Sequence, residues 1–165
     1  MRIIKLAIIS AVVLFLVVFG ISLLIPSHIR ISRAVNITVA DKDSLVHQIT
    51  DMRQWKQWNI WINNPDMANA RLTADAISSS FLTVTKRAQV GDTLFTTWQQ
   101  KKGRLLQSAF TWQGSGNTFV VQWYYDFQLR WYPWEKFSSV VFDKQLGPPM
   151  EISLANLKKL LEKNP

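Results

Sequence analysis

From Leu6 to Ile25 the chain reads LAIISAVVLFLVVFGISLLI, an uncharged apolar run interrupted only by Ser10, Gly20 and Ser22. As an α-helix it rises about 1.5 Å per residue and covers roughly 30 Å, the depth of a bilayer's hydrocarbon core. Apolar residues lie all round this helix, so it is suited to being surrounded by lipid rather than to lying flat on a surface. Arg2 and Lys5 precede it as a basic flank. A cleaved secretory leader, however, has an apolar stretch of about 7–15 residues followed by a small-x-small site. Here Pro26-Ser27-His28-Ile29-Arg30 follows, with no Ala-x-Ala. The expectation is an uncleaved anchor, residues 1–27, whose transmembrane helix spans about 6–25. Arg30 and Arg33 nearly balance Arg2 and Lys5 under the positive-inside rule. The short N-terminal tail tips the expected orientation to a single pass with the domain outside the cytoplasm.

Residues 28–165 form one water-soluble domain, long enough to bury a proper core. All eight tryptophans lie in it, and the formal charge of the chain is +8, with Arg2, Lys5 and Arg30 contributing three. Such a surplus suits a domain beside anionic headgroups, and equally an ordinary solvated surface. There is no cysteine, which excludes disulfides, thiol nucleophiles and Cys-ligated zinc.

The domain opens with strand alternation, Ile29-Ile31 and then Val35-Ile37-Val39 against Arg30, Asn36 and Thr38. Asp41, Asp43 and Ser44 offer N-caps to a short helix carrying Leu45, Val46 and Ile49. A Trp-rich segment from Asp51 to Ile62 ends at Asn63-Asn64-Pro65-Asp66. Four strand-like runs follow, roughly Ile77 to Val90, Thr93 to Gln100, Arg104 to Gln113 and Thr118 to Trp131. Gly91-Asp92, Lys102-Gly103 and Gly114-Ser-Gly116-Asn117 lie between them as turns. The last run has the clearest period: Phe119, Val121, Trp123, Tyr125, Phe127, Leu129 and Trp131 fill every odd position. A period of two means one aromatic face turned inward.

After Pro133 the pattern becomes helical. Phe137, Val140 and Val141 share a stripe on a first segment that Gly147 is expected to end, with Pro148 and Pro149 starting a second helix. Met150, Leu154, Leu157 and Leu161 form that second helix's apolar stripe, with Lys158, Lys159, Glu162 and Lys163 on its solvent side. The stripe has to pack on the aromatic face of the sheet. The fold class expected is therefore α+β: an antiparallel sheet wrapped round a long C-terminal helix, preceded by one transmembrane helix.

Four segments carry a family resemblance: Arg30-Ile-Ser-Arg-Ala-Val-Asn-Ile, Trp55-x-x-Trp58-Asn59-x-Trp61, Phe142-Asp-Lys-Gln-Leu-Gly147-Pro148 and Leu154-Ala-Asn-Leu-Lys-Lys-Leu-Leu161. In this order they resemble the helix-grip superfamily of polyketide cyclases, START-type lipid-transfer domains and birch-pollen-allergen-like proteins, the SRPBCC proteins, and in particular its small bacterial membrane-anchored members. The resemblance implies the helix-grip fold, a hydrophobic cavity and a place in the bacterial cytoplasmic membrane. Family members often read Trp-Asn-Pro-Trp where this chain has Trp58-Asn59-Ile60-Trp61.

Signals for catalysis are sparse. His28 sits at the membrane boundary and His47 in the first short helix, and a lone histidine does not make a zinc site. Asp41 and Asp43 are explained by capping, and Asp126 by pairing with a cation on the outer face of its strand. Lys86-Arg87 and Lys101-Lys102-x-Arg104 do not interleave with aromatics on one surface, so no nucleic-acid partner is expected. No metal or other cofactor is expected either. The residues expected to line a cavity are Trp123, Tyr125 and Phe127, with Phe110 and Trp112 facing them across a hairpin, and Leu154 and Leu157 from the helix; Trp55, Trp58 and Trp61, spaced by three on a slowly drifting helical face, either close one end of the core or form the cavity mouth. Three functions follow: a tethered, non-catalytic binding domain for a lipid or other apolar small molecule; an envelope protein-interaction module with a filled core; and a cyclase- or hydrolase-like enzyme using Asp126, Tyr124 or Tyr125.

Overall fold

A computed structural model describes residues 2–101 and 103–162, apart from the side chains of residues 138–140. Lys102 of the expected turn, Lys163 on the last helix and the side chain of Val140 therefore lie outside the described residues. The chain begins with helix α1 (Arg2–Leu24), long and apolar enough to cross a membrane. Its side chains are exposed up to Val17; near its end Val18, Phe19 and Ser22 are covered, as is Ile25 just beyond.

Strand β1 (His28–Thr38) follows almost at once. Asp41 then caps helix α2 (Lys42–Thr50), accepting from the backbone N–H groups of Asp43 and Ser44. Strands β2 (Arg71–Leu72), β3 (Ala76–Ser78), β4 (Leu82–Val90), β5 (Thr93–Gln100), β6 (Leu105–Ser115) and β7 (Thr118–Gln128) complete one antiparallel sheet in the order β1-β7-β6-β5-β4-β3-β2. The expected run from Ile77 to Val90 is thus two strands, parted where the Ser79 hydroxyl accepts from the N–H groups of Phe81 and Leu82 and turns the chain. Gly91 and Gly116 have φ of +54° and +61°, the left-handed values that a two-residue hairpin turn demands of its first central residue.

The alternation in β7 holds from Phe119 to Phe127, all buried, and stops at Gln128. Leu129 remains buried beyond the strand, but Trp131 is exposed, contrary to the expected continuation. The ladder ends because Leu129 donates its N–H to Ser27, in the link between α1 and β1, and the chain then turns into a helix.

That helix, α3 (Pro133–Glu162), corrects the expected break at Gly147: it runs on through Pro148 and Pro149. Proline removes the bond to the carbonyl four residues back, here those of Lys144 and Gln145. The helix survives because tertiary contacts hold both halves. Arg33 of β1 lies against Gly147, where any Cβ would collide with the guanidinium, and it donates to Asp143 on one side and Glu151 on the other. Phe142, Leu146, Met150 and Leu154 recur at four-residue steps and all contribute to the apolar packing, so the stripe keeps its phase across the prolines.

The segment between α2 and β2 is built of 3₁₀ turns, Met52–Gln57 and Pro65–Met67. Asp51 caps the first, Met52–Gln57, and is itself held by Arg53. Trp55 and Trp58 are fully buried, their indoles donating to the carbonyls of Ile49 and Gln48. Ile60 stands where the resemblance puts proline, and its N–H donates to the hydroxyl of buried Ser153 on α3 at 3.1 Å, a bond proline could not make. Asn156 adds a bond to the Trp58 carbonyl.

Two outcomes test this arrangement. Ser153→Ala leaves the Ile60 N–H without its acceptor and lowers stability by about 1–3 kcal/mol, measured by urea unfolding of the full chain in detergent; unchanged stability would remove Ser153 from the set of fold-defining contacts. Hydrogen bonding from Arg53 depresses the Asp51 carboxyl from 3.8 to about 2. Its contribution is therefore complete above pH 3.8 and is lost as pH falls through about 2. In Arg53→Gln the acid transition followed by circular dichroism moves to higher pH, and an unmoved transition contradicts the pairing.

Candidate functional site

The core is an aromatic assembly on the inner face of the sheet. Phe110 of β6 lies directly opposite Trp123 of β7, stacked at 4.8 Å between ring centroids. Trp55 and Trp58 from the 3₁₀ segment meet Phe110 edge-on, and Trp98 of β5 contacts both Trp123 and Tyr125 at 5.7 Å. Rings of this size fit side by side because Thr96 and Ser108, neighbours across the β5–β6 ladder, are small. They are also polar, and they give two of the buried indole N–H groups an acceptor. Trp123 donates to the Ser108 hydroxyl at 2.8 Å, which in turn donates a hydrogen bond to the Tyr124 carbonyl, and Trp98 donates to Thr96.

At one end of this assembly the core opens into a cavity of about 320 Å³. Its walls come from Trp98, Tyr125 and Phe127 on the sheet, Phe142 and Leu146 on α3, and Trp61 on the loop after the 3₁₀ segment. Leu82, Leu106 and Leu129 complete the apolar lining, and Gln100, Gln128 and Gln145 bring amides to it. Arg104 and Glu135, both of the lining, meet in a bidentate pair with a shortest distance of 2.7 Å, joining the start of β6 to the first turn of α3. That pair, with the backbone N–H of Arg130, holds the Glu135 carboxyl below its usual range.

Of the ten residues expected at a cavity, Trp61, Tyr125 and Phe127 line it. Trp55, Trp58, Phe110, Trp112, Trp123, Leu154 and Leu157 are buried in the filled part of the core beside it. They lie there because the C-terminal half of α3 and the 3₁₀ segment close directly on that end of the sheet. Trp98, Phe142 and Leu146 were not singled out. Their signal was present: Leu94-Thr96-Trp98 alternates along β5, and Phe142 and Leu146 extend the helical stripe by two steps toward the N-terminus.

Burial alone pushes the Tyr125 phenol well above its usual value of 10.0. Trp61 Nε1 is buried without a hydrogen-bond partner among the described residues. Asp126 turns its carboxylate to Arg30 on the other face of β7, at 2.8 and 2.9 Å, and Tyr124 lies beneath the same guanidinium, 4.0 Å from it. No group of three or more His, Asp or Glu side chains suited to a metal occurs among the described residues.

No family model matches the sequence, and no curated protein matches it either. Solved structures do. A START superfamily protein from Mycobacterium smegmatis is 16% identical, with a TM-score of 0.54 over 81% of this chain and 97% of that one. The protein XoxI from Bacillus cereus is 10% identical, with a TM-score of 0.55 over 82% and 96%. CalU16 from Micromonospora echinospora is 11% identical, with a TM-score of 0.51 over 84% and 76%. At these identities the likeness is one of fold, and the chain has the START-like helix-grip fold.

The buried phenol can be tested by titration. In a Tyr124→Phe, Tyr132→Phe variant the remaining tyrosine, Tyr125, develops its 295 nm tyrosinate absorbance only above pH 10.0, later than a free phenol. Because its folded-state value is raised, its contribution to stability is complete below pH 10.0 and is lost as pH climbs toward that raised value. Titration at the free-phenol value would mean that the Tyr125 hydroxyl is solvated.

Proposed function

We propose that this protein is a single-pass, membrane-tethered domain that binds one lipid-derived or other apolar small molecule between its sheet and α3, without catalysing a reaction. The observation that carries the reading is the cavity of about 320 Å³ at one end of a core whose other end is filled. That volume is near the lower limit for ligand pockets, roughly 300–1,000 Å³, and suits one acyl or isoprenoid chain or a small ring system better than a whole two-chain lipid. A wall of apolar side chains with three amides, one phenol, an indole N–H and the Arg104–Glu135 pair supplies burial for such a molecule and polar contacts to orient it.

The anchor, residues 1–27, supports a ligand that partitions into lipid, since little chain separates Ile25 from β1. A tether this short disfavours a shuttle between membranes. With the basic flank of Arg2 and Lys5 inside, the domain stands on the extracytoplasmic side. Of the three residues considered for a cyclase- or hydrolase-like reaction, Tyr125 and Asp126 border the cavity, but the Asp126 carboxylate is engaged by Arg30, and Tyr124 lies under the same guanidinium. A module with a wholly filled core fits the cavity less well.

The test uses the full chain in lipid nanodiscs with a fatty acid carrying a diazirine on its acyl chain. Irradiation labels peptides containing Trp98, Phe142 or Leu146, and Leu146→Trp, which fills the space, weakens labelling about tenfold, equivalent to ~1.4 kcal/mol of affinity. Label found only on α1, with none on those peptides, sinks the binding reading.

A further inference from the structure

Helix α1 does not end free of the domain. Val18, Ser22 and Ile25, spaced by four and three residues, turn one face to the domain together with Phe19: Ser22 is fully buried and the other three are half-buried. Across from them the Trp131 ring meets the Phe19 ring edge-on at 6.2 Å, and Lys136 of α3 donates from Nζ to the Ile25 carbonyl at 2.6 Å. Phe19 lies well inside the apolar run, about 9 Å of helix rise before Ile25. The domain therefore overlaps in depth with the last two turns of the helix that is read as its anchor.

This overlap limits where the bilayer can lie. If the covered turns stood wholly in water, the part of the run left to span would be Leu6 to Val17, about 18 Å of helix, far short of a hydrocarbon core of roughly 30 Å. If the whole run spans, the domain's surface beside Phe19 enters the interface. That surface is apolar and uncovered: Trp131 is 61% exposed, Trp134 66%, Phe137 39% and Val141 47%. Tyr132 and Trp134 stack at 4.8 Å, and exposed Arg130 and Lys144 flank the patch. Aromatic rings with one polar edge, bordered by cations, are the side chains that favour the level of lipid headgroups.

We propose that Trp131, Trp134, Phe137 and Val141 form a foot seated in the boundary between headgroups and acyl chains of the bilayer that α1 crosses, which turns the cavity mouth toward lipid. The proposal rests on reading α1 as a membrane anchor. The strand order puts the cavity at the end of the sheet where α1 finishes. Leu129, a cavity-lining residue, donates its N–H to Ser27 at 2.7 Å, and Gln128, also of the lining, pairs with His28 at the start of β1. Glu135 of the Arg104 pair lies next to Trp134 in the first turn of α3. A ligand leaving the bilayer beside α1 thus reaches the cavity without crossing water.

The absence of cysteine from the chain makes a direct test clean. Single cysteines at Trp134→Cys, Val141→Cys, Val13→Cys in the middle of α1 and Val90→Cys at the far hairpin are each labelled with a nitroxide. The full chain is then reconstituted into phosphatidylcholine–phosphatidylglycerol nanodiscs. Collision with oxygen, which concentrates in lipid, is compared with collision with a water-soluble nickel chelate. The expected result is an oxygen-to-nickel ratio several-fold higher at 134 and 141 than at 90, and highest at 13. Labels at 134 and 141 that match the one at 90 while 13 reports hydrocarbon overturn the foot and leave the anchor intact. A water-like label at 13 overturns the anchor and the foot with it. Labels at 134 and 141 shielded from both reagents mean that protein covers this face, and also overturn the proposal. Circular dichroism of each variant establishes that it is folded.

Discussion

Arg33 reaches from β1 across Gly147 to Asp143 and Glu151, and so ties α3 to the sheet on both sides of Pro148 and Pro149. The helix has lost two backbone hydrogen bonds there and would otherwise have reason to end. Held in register, it presents one apolar stripe along its length. Met150, Leu154, Leu157 and Leu161 close on the filled end of the core, while Phe142 and Leu146 form one wall of the cavity. Were the helix to stop at Gly147, its two halves could leave in different directions and the cavity would lack that wall. The absence of a side chain at Gly147 is what allows the guanidinium to come so near the helix backbone.

The aromatic core is also ordered by the placement of its buried indoles. An indole N–H taken out of water needs an acceptor. Ser108 and Thr96 supply it for Trp123 and Trp98 from the sheet itself, and the carbonyls of Ile49 and Gln48 supply it for Trp55 and Trp58. These bonds fix the rings where they also touch one another, which makes this end rigid and leaves little room for a guest. Trp61, which borders the cavity, and Trp112, in the filled core, have no such acceptor among the described residues.

The cavity and the apolar N-terminal helix share one end of the molecule because β1 begins two residues after Pro26 and pairs along its whole length with β7. The start of β1 therefore lies beside the end of β7, and β7 ends at the cavity. An apolar helix attached at the far end of β7 would have lain away from the cavity. Here the Ser27 carbonyl, the Leu129 N–H and the first turn of α3 converge where α1 finishes. This convergence links the proposed ligand to the proposed seat in the membrane, since both depend on which end of the sheet is open.

Much of this was legible in the chain itself. The apolar run from Leu6 to Ile25, the period of two in β7, the glycines at the hairpins and the Asp41 cap each act over a few residues, where local chemistry decides the outcome. The pairing of Asp126 with a cation on the outer face followed from strand alternation. The continuity of α3 did not follow, because local propensity argues for a break at Gly147-Pro148-Pro149 and is overruled by Arg33, more than a hundred residues earlier in the chain. Periodicity also assigns a side chain to a face but not to a distance from what lies opposite. The sequence alone therefore determined that Trp123, Tyr125 and Phe127 point inward. Only the tertiary structure decided that Trp123 meets filled core while Tyr125 and Phe127 meet a cavity, because that depends on how closely α3 and the 3₁₀ segment approach the sheet at each end.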